Sequence, residues 1–128
     1  MKKAENIVRI LLGLLLVIFG PNKFFHFIAT DPSTIEGGIA MNAFVGMGII
    51  TVVGVLEVIG GAFLLANRQI GVALFFLAPI SFCAFLFHLV IDPEGIAGAI
   101  FFILATSFLM YCHRDKFLAL VDKPNAKA

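Results

Sequence analysis

The stretch that decides the fold is residues 39–66, which read IAMNAFVGMGIITVVGVLEVIGGAFLLA. It contains one ionisable side chain, Glu57. A helix needs about 20 apolar residues to cross about 30 Å of hydrocarbon, and backbone groups in lipid must find their hydrogen bonds within the segment. The stretch therefore predicts a transmembrane helix, because it is too long for one strand of a membrane barrel.

Three further apolar runs accompany this stretch, and each is close to the length that a membrane span requires. The predicted fold class is an all-α membrane protein, in which a single domain over 1–128 is a four transmembrane helix bundle. We expect helices over about 7–28, 40–66, 70–91 and 96–112, followed by a polar cytoplasmic tail over 113–128.

Turn-forming residues separate the predicted spans. The first loop opens at Asp31-Pro32-Ser33 and ends near Gly37-Gly38, and Asn67-Arg68-Gln69 forms a tight turn. Asp92-Pro93-Glu94-Gly95 precedes the last span. The apolar run after Lys2 and Lys3 is similar to a signal peptide, but it is too long and no A-x-A site follows it. We therefore expect a retained helix.

The composition agrees with a membrane protein and excludes several classes. Of the 128 residues 61% are hydrophobic and 13% are charged, and the mean hydropathy is +1.07. Soluble domains carry about a quarter charged residues, so a soluble, disordered or coiled-coil chain is excluded. The net charge of +1 comes without a basic patch, which argues against a nucleic-acid partner. The expected partner is the lipid bilayer.

Basic residues near the span ends predict the orientation. An even number of spans places both termini on one side, and that side carries most of the basic residues. The opposite side holds Lys23 with Asp31, Glu36, Asp92 and Glu94. We therefore expect both termini to be cytoplasmic and the protein to lie in a cell membrane, the bacterial inner membrane. The basic residues on the terminal side are Lys2, Lys3, Arg9, Arg68, Arg114, Lys116, Lys123 and Lys127.

Glu57 is the most informative polar residue, because ionisable groups inside a bilayer are costly and tend to mark sites. It precedes the turn at Asn67 by ten residues, about 15 Å along a helix, which places it near the midplane. Gly54 and Gly61 share its face. Two interpretations stay open: a buried hydrogen bond that fixes packing, or an acid that handles protons or binds a ligand. We favour the second.

The first span supplies candidate partners for Glu57. Arg9, Gly13, Gly20 and Lys23 fall within a sector of about 80° on a helix. Arg9 and Lys23 either snorkel to the two interfaces or pair with Glu57. Each lies about 10 Å or more from Glu57 in depth by helix rise, and Arg68 lies below, so the sequence leaves the partner open.

Two histidines, His26 and His88, are expected at a similar depth near the outer side. Two imidazoles at one level can bind metal or haem. The favoured alternative is a pair of interfacial histidines that hydrogen-bond to loop carboxylates, because no further ligand spacing supports a metal site. Cys83 and Cys112 differ too much in depth for a disulfide. We therefore predict no metal and no covalently bound cofactor.

Four short motifs together resemble the DoxX family of small four-helix bacterial and archaeal membrane proteins. They are Arg9-Ile-Leu-Leu-Gly13, Gly20-Pro-Asn-Lys23-Phe24, Glu57-Val-Ile-Gly60-Gly61 and the basic turn Asn67-Arg68. The resemblance implies membrane redox chemistry, since relatives include a subunit of thiosulfate:quinone oxidoreductase and proteins of thiol and oxidative-stress defence. It also implies that Arg9, Lys23 and Glu57 form the polar core.

Three functions follow from these observations. We rank first a subunit or accessory of a quinone-linked or sulfur-related redox system, with Glu57 and Lys23 as candidate catalytic residues and quinone as candidate cofactor. Whether the chain is itself an enzyme stays open. Second is a structural or assembly subunit, as a homo-oligomer or with a partner membrane subunit, and third is a small transporter. The remaining candidate polar-core or binding residues are Arg9, His26, His88 and Arg68.

Overall fold

The computed structural model describes residues 2–29 and 31–121, which are helical apart from short connections. The helices in chain order are α1 (Lys2–Phe25), α2 (Ile35–Gly46), α3 (Ile49–Ala66), α4 (Ile70–Leu86), α5 (Ile96–Cys112) and the short α6 (Arg114–Leu118). A π-helical turn, Phe87–Ile91, continues α4.

Three helices among the described residues are long and apolar enough to cross a membrane. They are Lys2–Phe25, Ile49–Ala66 and Ile70–Ile91, the last of which includes the π-helical turn. The helix Ile96–Cys112 is also apolar but has 17 residues. Large apolar side chains are exposed along these helices, as expected for surfaces in contact with lipid chains.

The helix predicted over 40–66 is divided in the structure. Gly48 takes a left-handed conformation with φ of 78°, and the Met47 and Gly48 amides close the last turn of α2 on the carbonyls of Ala43 and Val45. Only glycine adopts this conformation without strain, so the break depends on Gly48. α2 also begins earlier than predicted, at Ile35, within the expected first loop. Hydropathy cannot reveal such a break, because both halves are apolar.

α1 also ends earlier than predicted, at Phe25 instead of residue 28. His26 follows in a left-handed conformation with φ of 52°. The side chain of the buried Asn22 holds the next turn of chain: its Nδ2 donates to the Ile28 carbonyl at 3.0 Å, and its Oδ1 accepts from the Ile28 amide at 2.7 Å. The amide side chain thereby satisfies backbone groups that a longer helix would have paired.

Two pairs of glycines bring α1 and α3 together as antiparallel neighbours. A methyl group built on Gly13 would lie 3.2 Å from the Gly61 carbonyl oxygen, and one on Gly20 would lie 3.1 Å from the Gly54 carbonyl oxygen. Backbones can approach this closely only where side chains are absent, which is a common way to pack helices in membranes. The glycines on Glu57's face therefore serve packing inside the chain.

Leucines from α1, α3, α4 and α5 fill the centre of the bundle. α2 contributes nothing to this core, and Gly37 is its only buried residue. The buried core is therefore formed by residues of α1, α3, α4 and α5. The buried core residues are Leu12, Leu16, Leu64, Ile70, Ala73, Leu74, Leu77, Phe102, Ala105 and Leu109.

Candidate functional site

Lys23 and Glu57 form an ion pair between α1 and α3. Lys23 Nζ donates to Glu57 Oε2 at 2.6 Å. The Glu57 side chain is 7% exposed and that of Lys23 is 25% exposed. A charge in the apolar part of a membrane protein needs an opposite charge and hydrogen bonds to offset its desolvation. The structure thus gives Glu57 the partner that the sequence left open.

The other two candidate partners lie elsewhere. Arg9 is buried near the opposite end of the α1–α3 contact, where its Nη1 donates to the carbonyl oxygen of Leu64. Its Nε has no hydrogen-bond partner among the residues that the structure describes. Arg68 is exposed in the turn between α3 and α4. Of the predicted polar core, only Lys23 and Glu57 are in contact with each other.

A cleft of about 1270 Å³ lies beside the ion pair. Its walls come from α1, α3, α4 and α5, and α2 adds Met41, Phe44 and Val45 on one side. Most of the lining is aliphatic or aromatic, so the ion pair is a charged spot on an apolar wall. The titratable groups that line the cleft are Lys23, His26, Asp31, Glu57, Cys83, His88, Asp92 and Glu94.

His26 and His88 both line this cleft. His26 is exposed, whereas His88 is half-buried and places Nδ1 3.0 Å from the carbonyl oxygen of Asp92. The expected contact with a loop carboxylate is therefore replaced, for His88, by a contact with the backbone carbonyl of Asp92, the residue that follows the π-helical turn. Among residues 2–29 and 31–121, no three His, Cys, Asp or Glu side chains are grouped closely enough to hold a metal ion.

Asp92 links the start of α2 to the end of the π-helical turn through hydrogen bonds. Its carboxylate is 2% exposed and accepts hydrogen bonds from the Ser33 amide, at 2.8 Å, and from the Ser33 hydroxyl. These hydrogen bonds, the hydroxyl first, lower the pKa of Asp92 below its usual value. Thr34 adds a second link, because its hydroxyl donates to the Ile91 carbonyl at 3.0 Å and accepts from the Gly37 amide at 2.9 Å as the N-cap of α2.

Sequence reasoning missed this link and assigned Asp92 only to a turn. A methyl group on Gly37 would lie 2.9 Å from Asp92 Oδ2, so the contact also requires glycine at that position. The available signal was Ser33-Thr34 followed by a helix-compatible stretch, which is a typical helix start. Nothing in the sequence shows that the acid that accepts from Ser33 lies 59 residues further along the chain, at position 92.

Comparison with known proteins adds no relative: no family model, no curated protein and no solved structure matches the chain. The resemblance to the DoxX family therefore stays a prediction from its motifs.

Proposed function

We propose that this chain is a subunit or accessory of a membrane redox system and that its cleft binds a quinone. In this proposal α1, α3, α4 with its π-helical turn, and α5 are four spans of a bacterial inner membrane, and both termini are cytoplasmic. The short α5 covers about 26 Å of helix at 17 residues, close to the hydrocarbon thickness.

The observation that carries the proposal is the Lys23–Glu57 pair on the wall of a largely apolar cleft. Ligand sites of this type bury an apolar body and orient it with a few polar groups. A quinone has such a body together with carbonyl oxygens that accept hydrogen bonds. The side chain of Lys23 is a quarter exposed, and its ammonium has three N–H donors, so it can donate to one carbonyl oxygen while it keeps its contact with Glu57.

The carboxyl group of Glu57 supplies the second chemical function. Reduction of a quinone requires protons as well as electrons, and a Lys23 ammonium that gives a proton to the quinone can take a replacement through the Glu57 carboxylate to which it donates. In this proposal a partner redox protein supplies the electrons. The pair therefore supports a subunit that binds and protonates better than one that acts alone.

The packing of α1 against α3 and the position of Arg9 bear on the two other candidate functions. An assembly subunit could use glycine faces to contact helices of other chains, but Gly54 and Gly61 pack against α1 within the same chain. A transporter would need a polar path from Arg9 to Lys23, and Arg9 is instead bound to the Leu64 carbonyl at the far end of the contact. Both observations favour the ligand-binding interpretation.

Quinone content is the decisive measurement. The full chain is purified from bacterial membranes in mild detergent, extracted with organic solvent, and its quinone is quantified by mass spectrometry. We expect near-stoichiometric quinone in wild type and in the control Arg68→Gln, whose parent side chain is exposed and outside the cleft. Lys23→Met and Glu57→Gln should each lose most of it.

A double variant separates loss of binding from loss of folding. Single variants leave one buried partner unpaired, whereas Lys23→Met combined with Glu57→Leu removes both charges and is often tolerated. The double variant should keep its helical circular dichroism and contain no quinone. Quinone at background level in wild type, or at the wild-type level in the folded double variant, would reject the proposal.

A further inference from the structure

The end of the bundle remote from the Lys23–Glu57 pair carries a groove of its own. Its volume is about 730 Å³, and it runs from the turn between α3 and α4, along the first turns of α4, to α6. The proposed quinone site shares none of its lining residues. The groove is lined by Asn67, Gln69, Ile70, Gly71, Val72, Phe75, His113, Lys116, Phe117 and Leu120.

The lining changes from polar to apolar along the groove. Asn67 and Gln69 lie in the turn, and Val72, Phe75 and Leu120 are 52%, 64% and 68% exposed. An apolar strip of this kind on a membrane-embedded helix end faces acyl chains, and the polar end lies where lipid headgroups are found. The groove therefore has the two-part character of a phospholipid molecule.

Lys116 places a positive charge at this groove. The stem of the side chain runs over Gly71, since a methyl group built there would lie 3.0 Å from Lys116 Cδ and 3.6 Å from its Cβ. The ammonium is two bonds beyond Cδ. Arg68 lies in the turn between α3 and α4, between the lining residues Asn67 and Gln69. His113, also in the lining, places Nε2 2.8 Å from Glu5 Oε1, so one acidic side chain also lies near the groove.

The charge at this end of the bundle is predominantly positive. Among the described residues it holds Lys2, Lys3, Arg9, Arg68, Arg114 and Lys116, against Glu5 and Asp115. Each basic residue near a membrane surface attracts anionic lipid by about 1 kcal/mol. A basic pocket between helix ends favours a phosphate-bearing headgroup without a compensating amine.

We propose that this groove binds an anionic phospholipid, with the phosphate near Lys116 and Arg68 and an acyl chain along Val72, Phe75 and Leu120. The proposal concerns a different surface from the quinone cleft and does not depend on it. Its occupant is a lipid and not a free anion, because most of the groove wall is apolar and continuous with the lipid-exposed side of α4.

The test is lipid binding to the full chain after delipidation in detergent. Native mass spectrometry with added phosphatidylglycerol or phosphatidylcholine gives the affinity for each lipid. Wild type should bind phosphatidylglycerol at least fivefold more tightly than phosphatidylcholine. Lys116→Gln should lower that affinity about fivefold and leave phosphatidylcholine unchanged, since about 1 kcal/mol corresponds to roughly that factor. Lys116→Arg should retain the preference.

Two variants control for diffuse charge and for the shape of the groove. Lys2→Gln removes one exposed charge outside the groove and should change the affinity less than twofold. Gly71→Leu keeps every charge but fills the groove, and it should weaken both lipids. Circular dichroism confirms that each variant is folded.

Three results would overturn the proposal. They are equal binding of the two lipids to wild type, equal effects of Lys2→Gln and Lys116→Gln, and full displacement of phosphatidylglycerol by inorganic phosphate. The last would show that a free anion is the ligand.

Discussion

Breaking the Lys23–Glu57 pair should destabilise the bundle more than removing it altogether. Removal of one partner from a fully buried pair costs about 3–5 kcal/mol, because the other charge stays buried alone. Lys23 is 25% exposed and Glu57 is 7% exposed, so solvent screening reduces this value. We expect about 2–3 kcal/mol for Lys23→Met, which leaves the Glu57 carboxylate unpaired, and about 1–2 kcal/mol for Glu57→Leu, because the Lys23 side chain that it leaves unpaired is the more exposed of the two.

The double variant Lys23→Met with Glu57→Leu provides the critical comparison. It leaves no buried charge, so the expected cost is about 0–1 kcal/mol, well below the sum of the single effects. For a chain of this size 1 kcal/mol shifts the melting temperature by about 3–4 °C. Lys23→Met should therefore melt about 6–12 °C below wild type, and the double variant within about 4 °C of it.

The measurement is thermal unfolding followed by circular dichroism in detergent, because the chain has no tryptophan for fluorescence. Lys3→Gln serves as the control for loss of one basic side chain, since Lys3 is exposed and lines neither the cleft nor the groove. If the two single effects simply add in the double variant, the two side chains are not coupled and the ion pair does not hold the site together.

Two further perturbations test the parts of the fold that frame the cleft. Asp92→Ala should speed amide hydrogen exchange in α2, and Glu94→Ala, an exposed neighbour, should not. The hydrogen bonds from Ser33 lower the pKa of Asp92. Their stabilising effect is therefore complete above the ordinary carboxyl pKa of about 4 and is lost as the pH falls through the lowered pKa. Faster hydrogen exchange in α2 already at pH 6 would contradict this prediction. Gly20→Leu should lower the free energy of unfolding by about 1–3 kcal/mol and lower the melting temperature, because even a methyl group there lies 3.1 Å from a backbone carbonyl oxygen. Gly38→Leu should change the melting temperature little, because the space around Gly38 is open. Equal melting of these two glycine variants would show that α1 and α3 are not closely packed.

The sequence predicted the long helices because hydropathy depends on the composition and length of a segment, and neither depends on how the helices pack. It could not predict the break at Gly48, since glycine is common inside membrane helices and the residues on both sides are apolar. Nor could it predict that Ile35 begins a helix, because the cap depends on the Thr34 hydroxyl and on contacts with residues near position 92.

The ion pair shows why a partner is harder to predict than a buried acid. Helix rise alone put Lys23 about 10 Å from Glu57, and only the register of α1 against α3 decides whether the side chains meet. The register follows from two glycine contacts, because the structure pairs Gly13 with Gly61 and Gly20 with Gly54. In the sequence this register corresponds to the equal spacing of seven residues within each glycine pair, 13 to 20 and 54 to 61. In that register Lys23 faces position 51, about 9 Å along the helix from position 57, and the two long side chains cover this distance.

The position of the pair relative to the glycine contacts argues that it does more than join two helices. Gly13 with Gly61 and Gly20 with Gly54 already fix the approach of α1 to α3, and neither contact needs a charge. Buried ion pairs are often no more stabilising than apolar side chains of similar size. Lys23 reaches from beyond the last glycine contact toward Glu57, and both line the cleft. A pair placed there keeps an ammonium accessible to a ligand, which packing alone would not require.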